Sequence, residues 1–160
     1  MTPASSTTQF LMPTTGVLRG RVHVLPVRVY YEDTDAAGIV YYANYLKYAE
    51  RGRTEMLRTL GVGQERLREE SGMQFVMRDG EVKYRRPARL DDALLVETAL
   101  VELGAASVRM RQVIRREGES NEEVAWFMAH VACTGLDGKP MRMPQALRQA
   151  LEAYVSETGK

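Results

Sequence analysis

Residues 30–60 read YYEDTDAAGIVYYANYLKYAERGRTEMLRTL, and a change of pattern within them decides the fold. From Val27 to Tyr31 apolar and polar side chains alternate, which predicts a half-buried strand. From Tyr42 to Leu60 apolar residues recur at helical spacing, which predicts a long amphipathic helix. The loop between the two segments carries two carboxylates one residue apart, Asp33 and Asp35. This loop is therefore the first place to look for chemistry.

Four more strand-like segments follow the helix, and a second helix closes the chain. The connections between the strands are short and rich in turn-forming residues, which predicts an antiparallel sheet. Segregated helices and strands indicate the α+β class, and the length of 160 residues fits a single core-bearing domain, residues 21–160. The predicted strands are Met73 to Arg86, Ala93 to Leu103, Ser107 to Arg116 and Glu122 to Thr134, and the last helix is Pro144 to Tyr154.

Composition excludes several classes of protein. Residues 1–20 are rich in Ser, Thr and Pro and lack a basic, apolar leader pattern, so we expect a flexible N-terminal extension and no secretory signal. The formal net charge is +1, which predicts no nucleic-acid partner. The single cysteine, Cys133, permits no intrachain disulfide and suits a reducing compartment. No apolar run is long enough for a transmembrane segment.

A metal site is not expected. The spacing of Asp33, Asp35 and Gly38 resembles the start of a calcium-binding EF-hand loop, but the twelfth position is Asn44 where a bidentate Glu belongs. His130 and Cys133 are three residues apart in a predicted strand, so alternation places them on opposite faces. We therefore predict that His130 is an interior or interface histidine and that the cysteine is buried.

The residues alone leave two interpretations of the acidic loop open. In the first, Asp33 and Asp35 are loop carboxylates, with Asp33 bonded in an Asx-type turn and one of the pair capping the helix. In the second, the tight turn through Gly38 brings Asp35 to the helix start near Tyr42. A carboxylate beside the free N–H groups of a helix N-terminus suits acyl transfer, since those groups can stabilise an oxyanion.

The stretch VYYEDTDAAGIVYYANYLKYAERGRTEML, residues 29–57, resembles the signature of hotdog-fold acyl-CoA thioesterases. The similar branches are the 4-hydroxybenzoyl-CoA thioesterases and the thioesterase associated with the tol–pal system. Tyr42 matches the hydroxybenzoyl branch, whereas the ERxRTE run and VKYRRPARLDD, from residue 82, match the tol–pal branch. Gly52 stands where Ala is usual. The resemblance implies a five-stranded antiparallel sheet wrapped around one long central helix.

The resemblance also implies roles for particular residues. Asp35 matches the catalytic carboxylate, as nucleophile or as base for water, and the backbone N–H of Tyr42 matches the oxyanion donor. Coenzyme A would enter as part of the substrate, with no separate cofactor and no metal. Its phosphates would meet basic residues at a subunit interface, for which the candidates are Arg85, Arg86, Lys139 and Arg142.

The implied function is hydrolysis of an acyl-CoA thioester to free acid and coenzyme A by a homodimer or homotetramer. The alternative on the same fold is a non-catalytic scaffold that binds acyl groups or acyl carrier protein. A hotdog-class hydratase is a second rival, but it would need a histidine with an acidic partner near the motif. The expected location is cytoplasmic, or peripheral at the inner membrane with a membrane-biogenesis partner.

Overall fold

The computed structural model describes residues 11–156, and within them an antiparallel sheet of six strands packs on a long helix. The strand order is β1-β2-β4-β5-β6-β3, which leaves β1 and β3 at the two edges. A short 3-10 turn, Tyr31–Asp33, lies between β2 and the long helix. The elements are β1 Val17–Arg19, β2 Val22–Arg28, α1 Asn44–Thr59, α2 Gln64–Ser71, β3 Met73–Tyr84, β4 Ala93–Leu103, β5 Ser107–Arg116, β6 Glu123–Gly135 and α3 Gln145–Glu152.

The predicted α+β class with a sheet around one long helix is confirmed, but the predicted count of five strands is wrong. The additional strand is β1, which forms a hairpin with β2 through the left-handed Gly20. It lies inside the range 1–20 that we expected to be extension; residues 1–10 of that range lie outside the described residues. The predicted strand at Val27 to Tyr31 is displaced, since β2 ends at Arg28.

Helix α1 turns one face into the concave side of the sheet. Its buried residues are Tyr45, Tyr48, Ala49, Gly52, Met56 and Leu57. Gly52 allows the closest approach, because a Cβ built there would lie 2.7 Å from the Cγ1 atom of Val96 on β4. Tyr42, which we placed on the apolar face, precedes the helix and keeps 60% of its surface exposed.

A buried polar network joins α1 to the sheet beside Gly52. The side-chain amide of Gln112 on β5 donates to the carbonyl oxygen of Ala49 at 2.7 Å and to Oγ1 of Thr98 at 2.9 Å. Its Oε1 accepts a hydrogen bond from Nη1 of Arg53 at 2.8 Å. Buried polar groups need partners of this kind, so the network fixes the position of α1 on the sheet.

Strand β3 has 12 residues and forms one edge of the sheet. A bulge interrupts its pairing with β6 between Met77 and Asp79. Tyr84 at its end pairs with Ala125, whereas Met73 at its start pairs with Gly135. The two ends, named here the Tyr84 end and the Met73 end, are separated by roughly 35 Å of extended chain.

Candidate active site

Asp33 organises the acidic loop. Its Oδ2 accepts a hydrogen bond from the N–H of Tyr30 at 2.8 Å, and its carbonyl oxygen accepts one from the N–H of Tyr41 at 2.9 Å. The side-chain amide of Asn44, the first residue of α1, donates to the same carbonyl at 2.8 Å. Asp33 therefore shapes the loop and ties it to the helix start, although not through the Asx-type turn expected at Thr34-Asp35.

Asp35 makes the Asx-type turn instead. Its Oδ1 accepts a hydrogen bond from the N–H of Ala37 at 2.8 Å, and its backbone pairs with Gly38 and Ile39 across a tight turn. Gly38 takes a φ of 75°, a conformation that suits glycine. The carboxylate is exposed, and its Oδ2 has no hydrogen-bond partner within residues 11–156. One carboxylate oxygen is thus held in place while the other is available.

The N-terminus of α1 is open. No side chain caps it, and its first turn contains no acidic residue. The backbone N–H groups of Tyr42 and Ala43 have no acceptor in the described part of the chain, whereas the N–H of Asn44 is bonded to the carbonyl of Tyr41 at 2.8 Å. Unpaired donors at the positive end of a helix dipole form a site for an anion or a developing oxyanion.

Tyrosine rings surround this helix start. The Tyr42 ring lies 4.8 Å from the ring centroid of Tyr41 and 6.0 Å from that of Tyr84 at the end of β3. A hydrogen bond between the side chains of Tyr41 and Tyr42 raises the pKa of Tyr41. Burial, reinforced by the neighbouring Asp33, raises the pKa of Tyr48. Tyr41 and Tyr48 therefore stay neutral at physiological pH.

A cavity of about 500 Å³ lies between α1, β3, β5 and β6, and neither Asp35 nor Tyr42 lines it. Two of its lining residues lie close in sequence to the tyrosines of the helix start. On α1 the wall includes Leu46, one helical turn after Tyr42, and on β3 it includes Val82, which shares a strand face with Tyr84. The remaining lining that matters here is Lys47, Glu50, Arg53, Leu57, Phe75, Asp79, Glu81, Met110, Phe127 and Val131.

The structure separates the four basic residues expected to bind phosphates. Arg85 and Arg86 follow β3 at the Tyr84 end, where their side chains are exposed and contact Glu123 at 3.5 Å and Glu122 at 3.0 Å. Lys139 and Arg142 follow β6 at the Met73 end, since Gly135 bonds the carbonyl of Lys139. Only the first pair lies at the same end as Asp35 and Tyr42 within one chain.

The histidines and the cysteine lie away from the acidic loop. His130 is buried, and its Nδ1 lies 3.4 Å from Oδ2 of Asp79, so it has an acidic partner. Asp79, however, lies five residues before Tyr84 on β3 and therefore away from the acidic loop. Cys133 is buried, and burial raises its pKa to about 11. Within residues 11–156 no group of three or more His, Cys, Asp or Glu is arranged to hold a metal ion.

Sequence reasoning missed the cavity, because its walls come from several elements that are distant in sequence. One signal was present: Leu46, Glu50, Arg53 and Leu57 follow Tyr42 at helical spacing on one stripe of α1.

The described helices include none that is long and apolar enough to cross a membrane.

Comparisons with known proteins find relatives among thioesterases. The profile of the Thioesterase-like superfamily matches residues 29–151. A curated relative named acyl-CoA thioesterase YbgC, from Haemophilus influenzae, is 42% identical over 126 residues, which is 78% of this chain and 90% of the relative. An acyl-CoA thioester hydrolase YbgC from Escherichia coli is 40% identical over 76% of this chain and 90% of its own. The crystal structure of a probable thioesterase from Bartonella henselae is 35% identical, with a TM-score of 0.70, and covers 77% of this chain and 99% of that chain.

Proposed function

The chain belongs to the Thioesterase-like superfamily, and from that premise we propose that it hydrolyses acyl-CoA thioesters to a free acid and coenzyme A. The observation that supports the proposal is an acidic loop that holds Asp35 and is hydrogen-bonded, through the Asp33 carbonyl, to Tyr41 and Asn44 at an uncapped helix N-terminus. Asp35 keeps one oxygen without a partner in the described residues, and the N–H groups of Tyr42 and Ala43 are unpaired there. The names of the curated relatives point to the same reaction.

In the proposed reaction the thioester carbonyl oxygen accepts a hydrogen bond from the Tyr42 N–H. As the carbonyl carbon becomes tetrahedral, the negative charge on that oxygen is stabilised by the fixed donor and the helix dipole. Asp35 then acts in one of two ways. It attacks the carbonyl carbon, forming an anhydride and expelling the coenzyme A thiolate, and water hydrolyses the anhydride. Alternatively, it takes a proton from water as the water attacks the carbonyl carbon, and the tetrahedral intermediate breaks its C–S bond to release the coenzyme A thiolate.

Coenzyme A binding in this proposal involves two subunits. Arg85 and Arg86 lie at the end of the sheet that carries the site, and Lys139 and Arg142 lie at the other end. A two-fold axis that pairs the β3 edges of two chains in antiparallel fashion would bring the Met73 end of one chain towards the Tyr84 end of the other. We therefore propose a homodimer, alone or within a tetramer, in which both pairs of basic residues approach one coenzyme A.

The decisive test is an Asp35→Asn variant assayed for thiol release on short, long and aromatic acyl-CoAs. We expect kcat/KM to fall at least about 100-fold, because the amide can neither attack nor accept a proton at neutral pH. Glu32→Gln, an exposed carboxylate of the same loop, is the matched control and should leave kcat/KM unchanged. An Asp35→Asn enzyme with wild-type kcat/KM would remove Asp35 from the mechanism.

A non-catalytic scaffold that binds acyl groups or acyl carrier protein is the second candidate, since the cavity alone would suit either role. It would bind an acyl-CoA to saturation without releasing thiol. We also propose a cytoplasmic or peripheral inner-membrane location and a membrane-biogenesis partner. Fractionation of cells that produce the tagged full chain would test the location directly.

A further inference from the structure

Arg53 is a charged side chain set into the wall of the cavity rather than on the surface. It is partly buried on α1, and burial lowers its pKa against a smaller opposing effect from Glu50. Its single hydrogen bond within residues 11–156 goes to Oε1 of Gln112, which is a neutral acceptor. A guanidinium has five N–H donors, so most of its hydrogen-bonding capacity is unused in the described structure.

The other charged groups of the cavity wall already have partners or lie in solvent. Asp79 contacts His130 at 3.4 Å, and Glu81 contacts Lys83 at 3.5 Å. Lys47 is exposed. No carboxylate in the described residues forms an ion pair with Arg53. A cation withdrawn from water without a counter-ion is costly unless an anion joins it.

The position of this guanidinium is fixed by the polar network beneath α1. Gln112 holds Arg53 and also donates to the carbonyl of Ala49 at 2.7 Å, so the guanidinium lies near the level of Ala49 on the helix. Ala49 follows Tyr42 by seven residues, which is about 10 Å along a helix axis. The cation therefore lies about that far along the helix axis from the proposed oxyanion donor.

We propose that Arg53 selects acyl groups that carry a carboxylate at their far end. The thioester carbonyl would lie at the Tyr42 N–H, the methylene chain would contact Leu46 and Phe127, and the terminal carboxylate would receive two parallel N–H bonds from Arg53. Gln112 is the positioning residue for that contact. This inference rests on the proposed function, since it names the substrate class of the same site.

The test compares octanoyl-CoA with suberoyl-CoA, which has the same chain length and ends in a carboxylate. We expect the wild-type kcat/KM to be at least about tenfold higher for suberoyl-CoA. Arg53→Met should lower kcat/KM for suberoyl-CoA at least tenfold and leave that for octanoyl-CoA within about twofold. Arg53→Lys should keep part of the preference for suberoyl-CoA, because lysine retains the positive charge but lacks the planar pair of N–H donors of a guanidinium.

Arg51→Met, on the exposed side of the same helix, is the matched control and should leave both values unchanged. The wild-type ratio tests the inference even if an Arg53 variant fails to fold. If octanoyl-CoA is hydrolysed at least as well as suberoyl-CoA, hydrolysis stands and the inference is overturned. If Arg53→Met lowers both values equally, Arg53 has only a structural role. If neither thioester releases thiol, the proposed hydrolysis itself fails.

Discussion

Gly52 is the residue at which α1 and the sheet come closest. A Cβ there would lie 2.7 Å from Cγ1 of Val96 and 3.0 Å from Oγ1 of Thr98 and Nε2 of Gln112. Glycine costs a helix about 1 kcal/mol relative to alanine, but inserting atoms into a packed core costs about 1–3 kcal/mol. The second effect is larger here because Val96 is fully buried and β-branched, so it has little freedom to move.

We therefore predict that Gly52→Ala lowers the free energy of unfolding by about 1 kcal/mol, the difference between these opposing effects. Urea unfolding followed by circular dichroism measures it. Adding Val96→Ala should recover part of the loss from the methyl clash, which would appear as a favourable coupling in the double-mutant cycle. Gly63→Ala, whose Cβ would meet Arg66 at an ordinary 3.7 Å, is the control. A more stable Gly52→Ala protein would contradict the close-approach argument.

The residues of the site divide into those that sequence identifies and those that only the fold reveals. Asp35 and Tyr42 can be proposed from sequence because the first lies in a local motif and the second at a local helix start. Lys139 lies at the Met73 end of the sheet, whereas the proposed site lies at the Tyr84 end. No local sequence pattern predicts this separation, because the pairing of β3 with β6 determines it. Arg53 belongs to a cavity whose other walls are distant in sequence.

At the scale of elements, local patterning predicted most of the boundaries. Strands β4 and β5 begin and end where the alternation predicted, and α1 differs by two residues at its start and one at its end. The hairpin of β1 and β2 was missed because β1 has only 3 residues and follows a Ser-, Thr- and Pro-rich stretch. Pairing with β2 stabilises the strand conformation of β1, whereas three residues are too few for their sequence to predict it.

His23 links this hairpin to the chain before it. Its side chain is fully buried, and its Nε2 lies 2.6 Å from the carbonyl oxygen of Thr15, so Nε2 carries the proton and donates. Burial lowers the pKa of His23 below its usual 6.5, an effect that the bond to Thr15 and the charge of Glu55 oppose only in part. The folded state therefore holds this histidine neutral over a pH range in which the unfolded chain protonates it.

We predict an acid-side loss of stability from this group. Above about pH 6.5 His23 is neutral in both the folded and the unfolded state, so its contribution to the free energy of unfolding is complete. As the pH falls below that value, the unfolded state binds an extra proton, and the free energy of unfolding decreases until the pH passes the pKa of His23 in the folded state. One proton gives a slope of at most about 1.4 kcal/mol per pH unit. Urea unfolding between pH 7.5 and 5 measures it. His23→Gln retains a donor for Thr15 without titrating, and should show a shallower decline; an equal decline would exclude His23 as its source.

At the scale of the whole molecule, the two edges of the sheet differ. Edge strand β1 is short, whereas β3 presents 12 residues with exposed apolar side chains, among them Val76 at 43% and Met77 at 48% exposure. A long edge strand with exposed apolar side chains is a template for pairing with another chain. Met77 also lines the cavity, so whatever covers this edge would help to enclose the proposed acyl site.

We predict that Val76→Lys weakens the proposed homodimer and lowers activity together, because a two-fold axis repeats the new charge on both sides of one interface. The dissociation constant should rise at least tenfold, which corresponds to about 1.4 kcal/mol. Light scattering coupled to gel filtration measures the mass, and thiol release at the same protein concentrations measures activity. Val17→Lys, on the opposite edge with 54% exposure, is the matched control and should leave both unchanged. A monomeric wild type with full activity, or a dimer that Val17→Lys disrupts instead, would exclude β3 as the interface.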